Sequence, residues 1–122
     1  MLICPICGKQ LNIADRCASC DSGHRFDMAK EGYVNLLRSN KSGDKIGDDK
    51  LAARCRRDFL NKGYYTPLKD ALVQLLSDQK GSLLDICCGE GYYTKTFKVK
   101  DKTGIDLSKE ALRISSRSDK ST

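Results

Sequence analysis

Cys4-Pro5-Ile6-Cys7 and Cys17-Ala18-Ser19-Cys20, followed by His24, crowd two thiol pairs and an imidazole into the start of the chain. Two thiolates three residues apart can share one tetrahedral ion, with Pro5 and Gly8 shaping the turn beneath them. Five candidate donors compete for four positions. Either Cys4, Cys7, Cys17 and Cys20 form a four-thiolate site or His24 replaces Cys17, because C-x-x-C and C-x-x-x-H are both acceptable second arms. With no basic-then-apolar export signal at the N-terminus, clustered thiols among the seven cysteines argue for metal over disulfides. So short a segment has little core, so the ion would supply much of its folding free energy. Four protein ligands leave no open position for water, and the expected role is structural.

A second stretch, Leu83 to Thr94 (LLDICCGEGYYT), reads as a short apolar strand with Asp85 near its end, then a glycine turn at Gly89-Glu90-Gly91, then a helix starting near Tyr92. In an open α/β sheet such a turn brings bare backbone and a helix N-terminus against a nucleotide-like ligand. Thr103-Gly104-Ile105-Asp106 reads as a second strand ending in a carboxylate that could hold two ribose hydroxyls. No residue reads as a convincing general base, so the catalytic residue stays unknown.

The elements that must position these groups follow from composition and spacing. At 122 residues, 39% hydrophobic and 31% charged, the chain has the composition of a soluble globular protein and no apolar run long enough to cross a bilayer, so a cytoplasmic protein is expected. The net charge of +6 favours an anionic partner such as nucleic acid. Phe26 and Met28, then Tyr33, Leu36 and Leu37, flank a polar turn at Lys30-Glu31-Gly32 and predict two short strands. Ser39 to Asp49 reads as a flexible linker. Asp48 or Asp49 can cap a helix with Leu51, Ala52, Cys55 and Phe59 on its apolar face. Arg54, Arg56 and Arg57 would lie mostly off that face, either contacting RNA phosphates or simply solvated. Thr66 as cap and Pro67 at the first position predict a second helix after Gly63, with a core face of Leu68, Ala71, Leu72, Leu75 and Leu76 packed on the sheet.

CPIC, C-x-x-x-H-x-FDMAKEGYVNLL, RRDFLNKGYYTPL, LLDICCGEGYYT and GIDLSKEAL together resemble, in order, the bacterial large-subunit ribosomal RNA guanine-N(1)-methyltransferases. The resemblance runs from Cys4 to about Arg113. It implies an α/β protein: a zinc ribbon over 1–38, a linker and basic helix over 39–66, and over 67–122 the first part of a class I, Rossmann-like methyltransferase domain. It implies one zinc on Cys4, Cys7, Cys20 and His24, with Cys17 a bystander. It implies S-adenosylmethionine against Tyr65, Gly89, Glu90 and Asp106, with Asp85 and Gly91 beside the turn also in the cofactor site. A ribosomal RNA hairpin is the implied partner, gripped in part by the zinc arm. No membrane partner is expected, and a homodimer is compatible with the sequence.

Cys87 stands where the family's turn usually opens with glycine, and is expected to crowd the ligand unless its φ is negative and its thiol points away. The span from Gly91 to Asp106 is a few residues shorter than the family's. A class I domain needs seven strands and two are visible here. The chain is therefore expected to be an N-terminal fragment, inactive alone, with an uncovered apolar sheet face and a disordered tail from Ser115. The competing expectation is a zinc-ribbon RNA-binding module without catalysis.

Overall fold

A computed structural model describes residues 1–38 and 47–118. The chain is mixed α/β and separates into two compact units, Met1–Asp44 and Lys45–Thr122. Most of the expected linker, residues 39–46, lies outside the described residues, as do the last four.

The first unit is a three-stranded antiparallel sheet in the order β1 (Asn12–Ala14), β2 (Cys17–Ser19), β3 (Arg25–Asp27). β1 and β2 join through Asp15 and Arg16, at φ 48° and 61°, the left-handed pair that a type I′ hairpin turn requires. Ala18 of β2 sits opposite Ile13 and Phe26, and is fully buried. With Leu11, Cys4 and Cys20 it makes the whole core, against which Leu2, Phe26, Val34 and Leu36 pack. The two strands expected over residues 24–37 are therefore a correction. Only the first forms, as β3, while the second shrinks to one bridge between Met28 and Val34. The β1–β2 hairpin escaped notice because its turn carries no glycine and three-residue strands show little alternation.

In the second unit, α1 (Lys50–Asn61) starts where the Asp49 side chain accepts a hydrogen bond from the Ala52 N–H at 2.8 Å. The face expected to be buried is not. Leu51 is 70% exposed and Cys55 and Phe59 are open, while Ala53 is buried. Periodicity shows which residues share a face, not which face meets a neighbour. Here the small residues decide, for α1 contacts α3 (Lys109–Ser118), whose buried residue is Ala111.

α2 (Thr66–Leu76) takes Thr66 as a helical residue, with Tyr65 rather than Thr66 in the capping position. None of its residues is buried; of the expected core face Leu72 and Leu76 are half-buried, with Thr66, Lys69 and Val73, while Leu68, Ala71 and Leu75 are exposed.

β4 (Ser82–Ile86) and β5 (Asp101–Ile105) pair in parallel, with Leu84 opposite Thr103 and Ile86 opposite Ile105. β5 begins two residues earlier than Thr103, taking in Asp101 and Lys102. Leu84, Ile86 and Ile105 share one sheet face and remain exposed. The helix expected near Tyr92 is only a 3₁₀ turn at Thr94–Thr96. The Thr94 hydroxyl bonds Asp85 and the Thr96 hydroxyl bonds the Tyr93 carbonyl, and such local bonds compete with helix formation. α3 runs on to Ser118, so the disordered tail expected from Ser115 is corrected for residues 115–118. Ser115 lies where Gly91 has no side chain: a Cβ there would come within 2.8 Å of the Ser115 Oγ.

Candidate functional site

Two turns build the first cluster. The Gly8 N–H donates to the Cys4 carbonyl at 2.8 Å, and the Gly23 N–H to the Cys20 carbonyl at 2.9 Å, with both glycines at positive φ. Each turn folds a ligand arm back on itself. The donor atoms of Cys4, Cys7, Cys20 and His24 consequently lie within 4.8 Å of one another.

The separations identify the geometry. Cys7 Sγ to Cys20 Sγ is 3.6 Å, and His24 Nδ1 lies 3.6 Å from Cys4 Sγ and 3.4 Å from Cys20 Sγ. Zinc bonds of about 2.3 Å to sulfur and about 2.0 Å to nitrogen, at the tetrahedral angle, place two sulfurs about 3.8 Å apart and sulfur and nitrogen about 3.5 Å apart. The three separations match tetrahedron edges. Burial pushes the Cys20 thiol up, while the Lys9 backbone draws Cys7 down to about 6. A bound cation would relieve the cost of ionising neighbouring thiols. Cys17 stays outside, its thiol directed at the Ala18 carbonyl.

The second cluster forms where the chain leaves β4 and β5. The Gly89 N–H donates to Asp106 Oδ2 at 2.8 Å, and the Ser108 N–H to Asp106 Oδ1 at 2.7 Å. A carboxylate has about four acceptor sites, so these two bonds orient Asp106 and leave two for a ligand. Gly89, Glu90 and Asp106 line one cleft of ≈ 220 Å³, whose other walls include Ala53, Arg56 and Ser108. That volume is smaller than the few hundred Å³ usual for a ligand site.

Glu90 Oε2 is buried without a hydrogen-bond partner, and the Arg57 Nε approaches it only to 3.8 Å. Burial raises the Glu90 carboxyl above its ordinary 4.5, against the opposing pull of Arg57 and Lys95. Arg56 instead pairs with Asp48 at 3.0 Å, and Arg54 is exposed. Two of the three arginines expected to meet phosphate thus already face acids of their own unit.

Three other expected site residues lie outside the cleft lining. The Asp85 carboxylate is held by Thr94, Gly91 is buried under Ser115 and Lys95, and Tyr65 meets the Phe59 ring edge-on at 5.9 Å. Cys87 sits at φ +63°, so the negative angle that would spare the ligand is not adopted, and the exposed residue lines the cleft. Burial, helped by Asp106 and Asp85, pushes the Cys88 thiol to about 11, which leaves it a neutral thiol and not a nucleophile.

Ser108 went unnoticed in the sequence as part of the site. It is 2% exposed, donates from Oγ to the Asp48 carbonyl at 2.9 Å, and accepts from the Ala111 N–H to cap α3. The signal available was a serine two residues after Asp106 and directly before a helical run.

Fold and donor set define a zinc-ribbon protein continued by an α/β unit, and residues 2–43 match the family model described as the RlmA N-terminal zinc ribbon. Similarity extends well past that segment. The chain is 34% identical over 125 residues to the 23S rRNA (guanine(748)-N(1))-methyltransferase of Streptomyces fradiae, covering 95% of this chain and 44% of that protein. It is 32% identical over 131 residues to the putative 23S rRNA (guanine-N(1)-)-methyltransferase YxjB of Bacillus subtilis (strain 168), covering 96% and 46%. A third relative, the putative 23S rRNA (guanine-N(1)-)-methyltransferase of Micromonospora griseorubida, is 41% identical over 76 residues, 59% of this chain and 25% of that one. Over nearly all of its length the chain is thus similar to proteins named 23S rRNA (guanine-N(1))-methyltransferases, and it spans less than half the length of these relatives. No described helix is long and apolar enough to cross a membrane.

Proposed function

We propose that this chain is part of an S-adenosylmethionine-dependent methyltransferase acting on N1 of a guanine in large-subunit ribosomal RNA. The observation that carries this reading is the 2.8 Å bond from the Gly89 N–H to Asp106 Oδ2, which joins the glycine turn and the acid beside Glu90. Asp106 accepts from ribose hydroxyls, the backbone at Gly89 lies against the adenosine, and Glu90 takes a polar group of the cofactor. Asp85 and Gly91 act beneath, one holding Thr94 and the other admitting Ser115, so that the turn keeps its shape. Tyr65, edge-on to Phe59 at 5.9 Å, is the further cofactor contact in this reading.

When bound, the cofactor supplies an activated methyl group. The protein's part is to hold donor and acceptor aligned. Cys4, Cys7, Cys20 and His24 hold one structural zinc that stiffens the RNA-gripping arm. Arg54, Arg56 and Arg57 answer phosphates of an RNA hairpin. A cleft of ≈ 220 Å³ is small for a ligand of the cofactor's size, and weak cofactor binding by this chain is expected.

Calorimetric titration with S-adenosylhomocysteine tests the reading. Saturable binding is expected, weakened about tenfold by Asp106→Asn, which removes the charge and one of the two backbone hydrogen bonds that the carboxylate accepts. Absence of binding at millimolar ligand would sink it.

A further inference from the structure

Phe59 and Tyr64 stand out among the exposed groups because they are aromatic and lie on a strongly basic element. Tyr64 is 69% exposed and Phe59 44%, with ring centroids 5.5 Å apart and planes inclined by 38°. Residues 50–62 carry Lys50, Arg54, Arg56, Arg57 and Lys62 against the single acid Asp58. Arg56, three positions before Phe59, is paired with Asp48 at 3.0 Å, while Lys62, three positions after Phe59, and Arg54 are exposed. Exposed rings with a cationic rim fit a partner that offers flat π faces strung on anions. Single-stranded nucleic acid is that partner, since every base has a stacking face and every linkage a phosphate. A fully paired helix hides its bases and would use the charges alone.

We infer that Phe59 and Tyr64 form a stacking platform for an unpaired base of the RNA substrate, with the neighbouring bases of α1 holding the adjoining phosphates. This rests on the proposed action on RNA and adds what part of the RNA is recognised: an unpaired loop nucleotide rather than a stem. Tyr64, the more exposed of the two rings, is the one offered to a base, with Phe59 as its neighbour in the platform. Stacking selects for strandedness and tolerates sequence.

The test uses the whole chain and two labelled RNAs of equal phosphate number, a hairpin carrying 2-aminopurine in its loop and a fully paired duplex. Tyr64→Leu and Phe59→Leu are each expected to weaken hairpin binding about tenfold and to abolish the 2-aminopurine quenching, leaving duplex affinity and its salt slope unchanged. Tyr64→Trp, which keeps a π face, should bind the hairpin as well as the parent. Hairpin affinity unmoved by both leucine variants, or hairpin and duplex affinity falling together, would overturn the platform. So would a concentration-dependent dimer in sedimentation that Tyr64→Leu dissolves without touching hairpin binding, since the rings would then face a second copy. Thermal melting of each variant confirms that the fold persists. Titration of the cleft with S-adenosylhomocysteine, read separately, reports on the methyltransferase reading whatever the platform does.

Discussion

The two units of this chain hold themselves together by different means. Apart from Glu31, the first buries, among its described residues, only the apolar cluster of Cys4, Leu11, Ala18 and Cys20, and two of these four are also metal-donor candidates, so its core and its metal site share atoms. The second contains no comparable donor cluster among its described residues. It relies on Ala53, Phe97 and Ala111 with a web of turn and cap hydrogen bonds, while Leu75, Leu84 and Ile86 stay open. A fold closed by an ion can be small and complete. One that depends on apolar burial needs enough surface to cover, and an exposed β4–β5 face shows that this unit has more to bury than it covers.

Breaking the first unit should have the largest effect. His24→Ala or Cys20→Ser should release the ion, for which structural zinc in small domains contributes about 10 kcal/mol or more of apparent binding free energy. Cys17→Ser should not. Zinc release to a colorimetric chelator, with amide spectra recorded alongside, checks both: signals of residues 1–38 should collapse while those of 47–118 persist. If Cys17→Ser released the metal and His24→Ala did not, the ligand set would be wrong.

The second unit should respond on a smaller scale and through packing. Gly91→Ala puts a Cβ within 2.8 Å of Ser115 Oγ and 3.0 Å of Lys95 Cε at φ +78°, and should cost about 2 kcal/mol. Chemical denaturation followed in the 47–118 signals measures it. Cys87→Gly should act in the opposite direction, relieving a left-handed cysteine and stabilising by up to about 1 kcal/mol. The midpoint of the same denaturation curve should rise.

The smallest change concerns Glu90, whose carboxyl is raised above its ordinary 4.5 by burial. A carboxyl raised on folding prefers its protonated form in the native state, so this residue's contribution worsens as pH rises from below 4.5 through its folded value. Glu90→Gln should therefore gain on the parent over that window, and match it in more acid solution. Paired thermal melts across the window would show a constant offset if the carboxyl were unshifted.

Spacing alone announced the metal arm, the capped α1, the β4 strand and the turn leading to Asp106, because each is set by neighbours a few residues away: a knuckle needs its two thiols and glycine, and a cap needs an Asp three residues before a free N–H. Choosing His24 over Cys17 did not follow from spacing, since β2 points the Cys17 thiol at a carbonyl and only the β1–β2–β3 register directs it there. The same holds for Ala53 as the buried residue of α1, and for Arg56 and Arg57 turned toward Asp48 and Glu90. Those outcomes depend on partners dozens of residues distant, and a local pattern carries no record of which of its faces another element will meet.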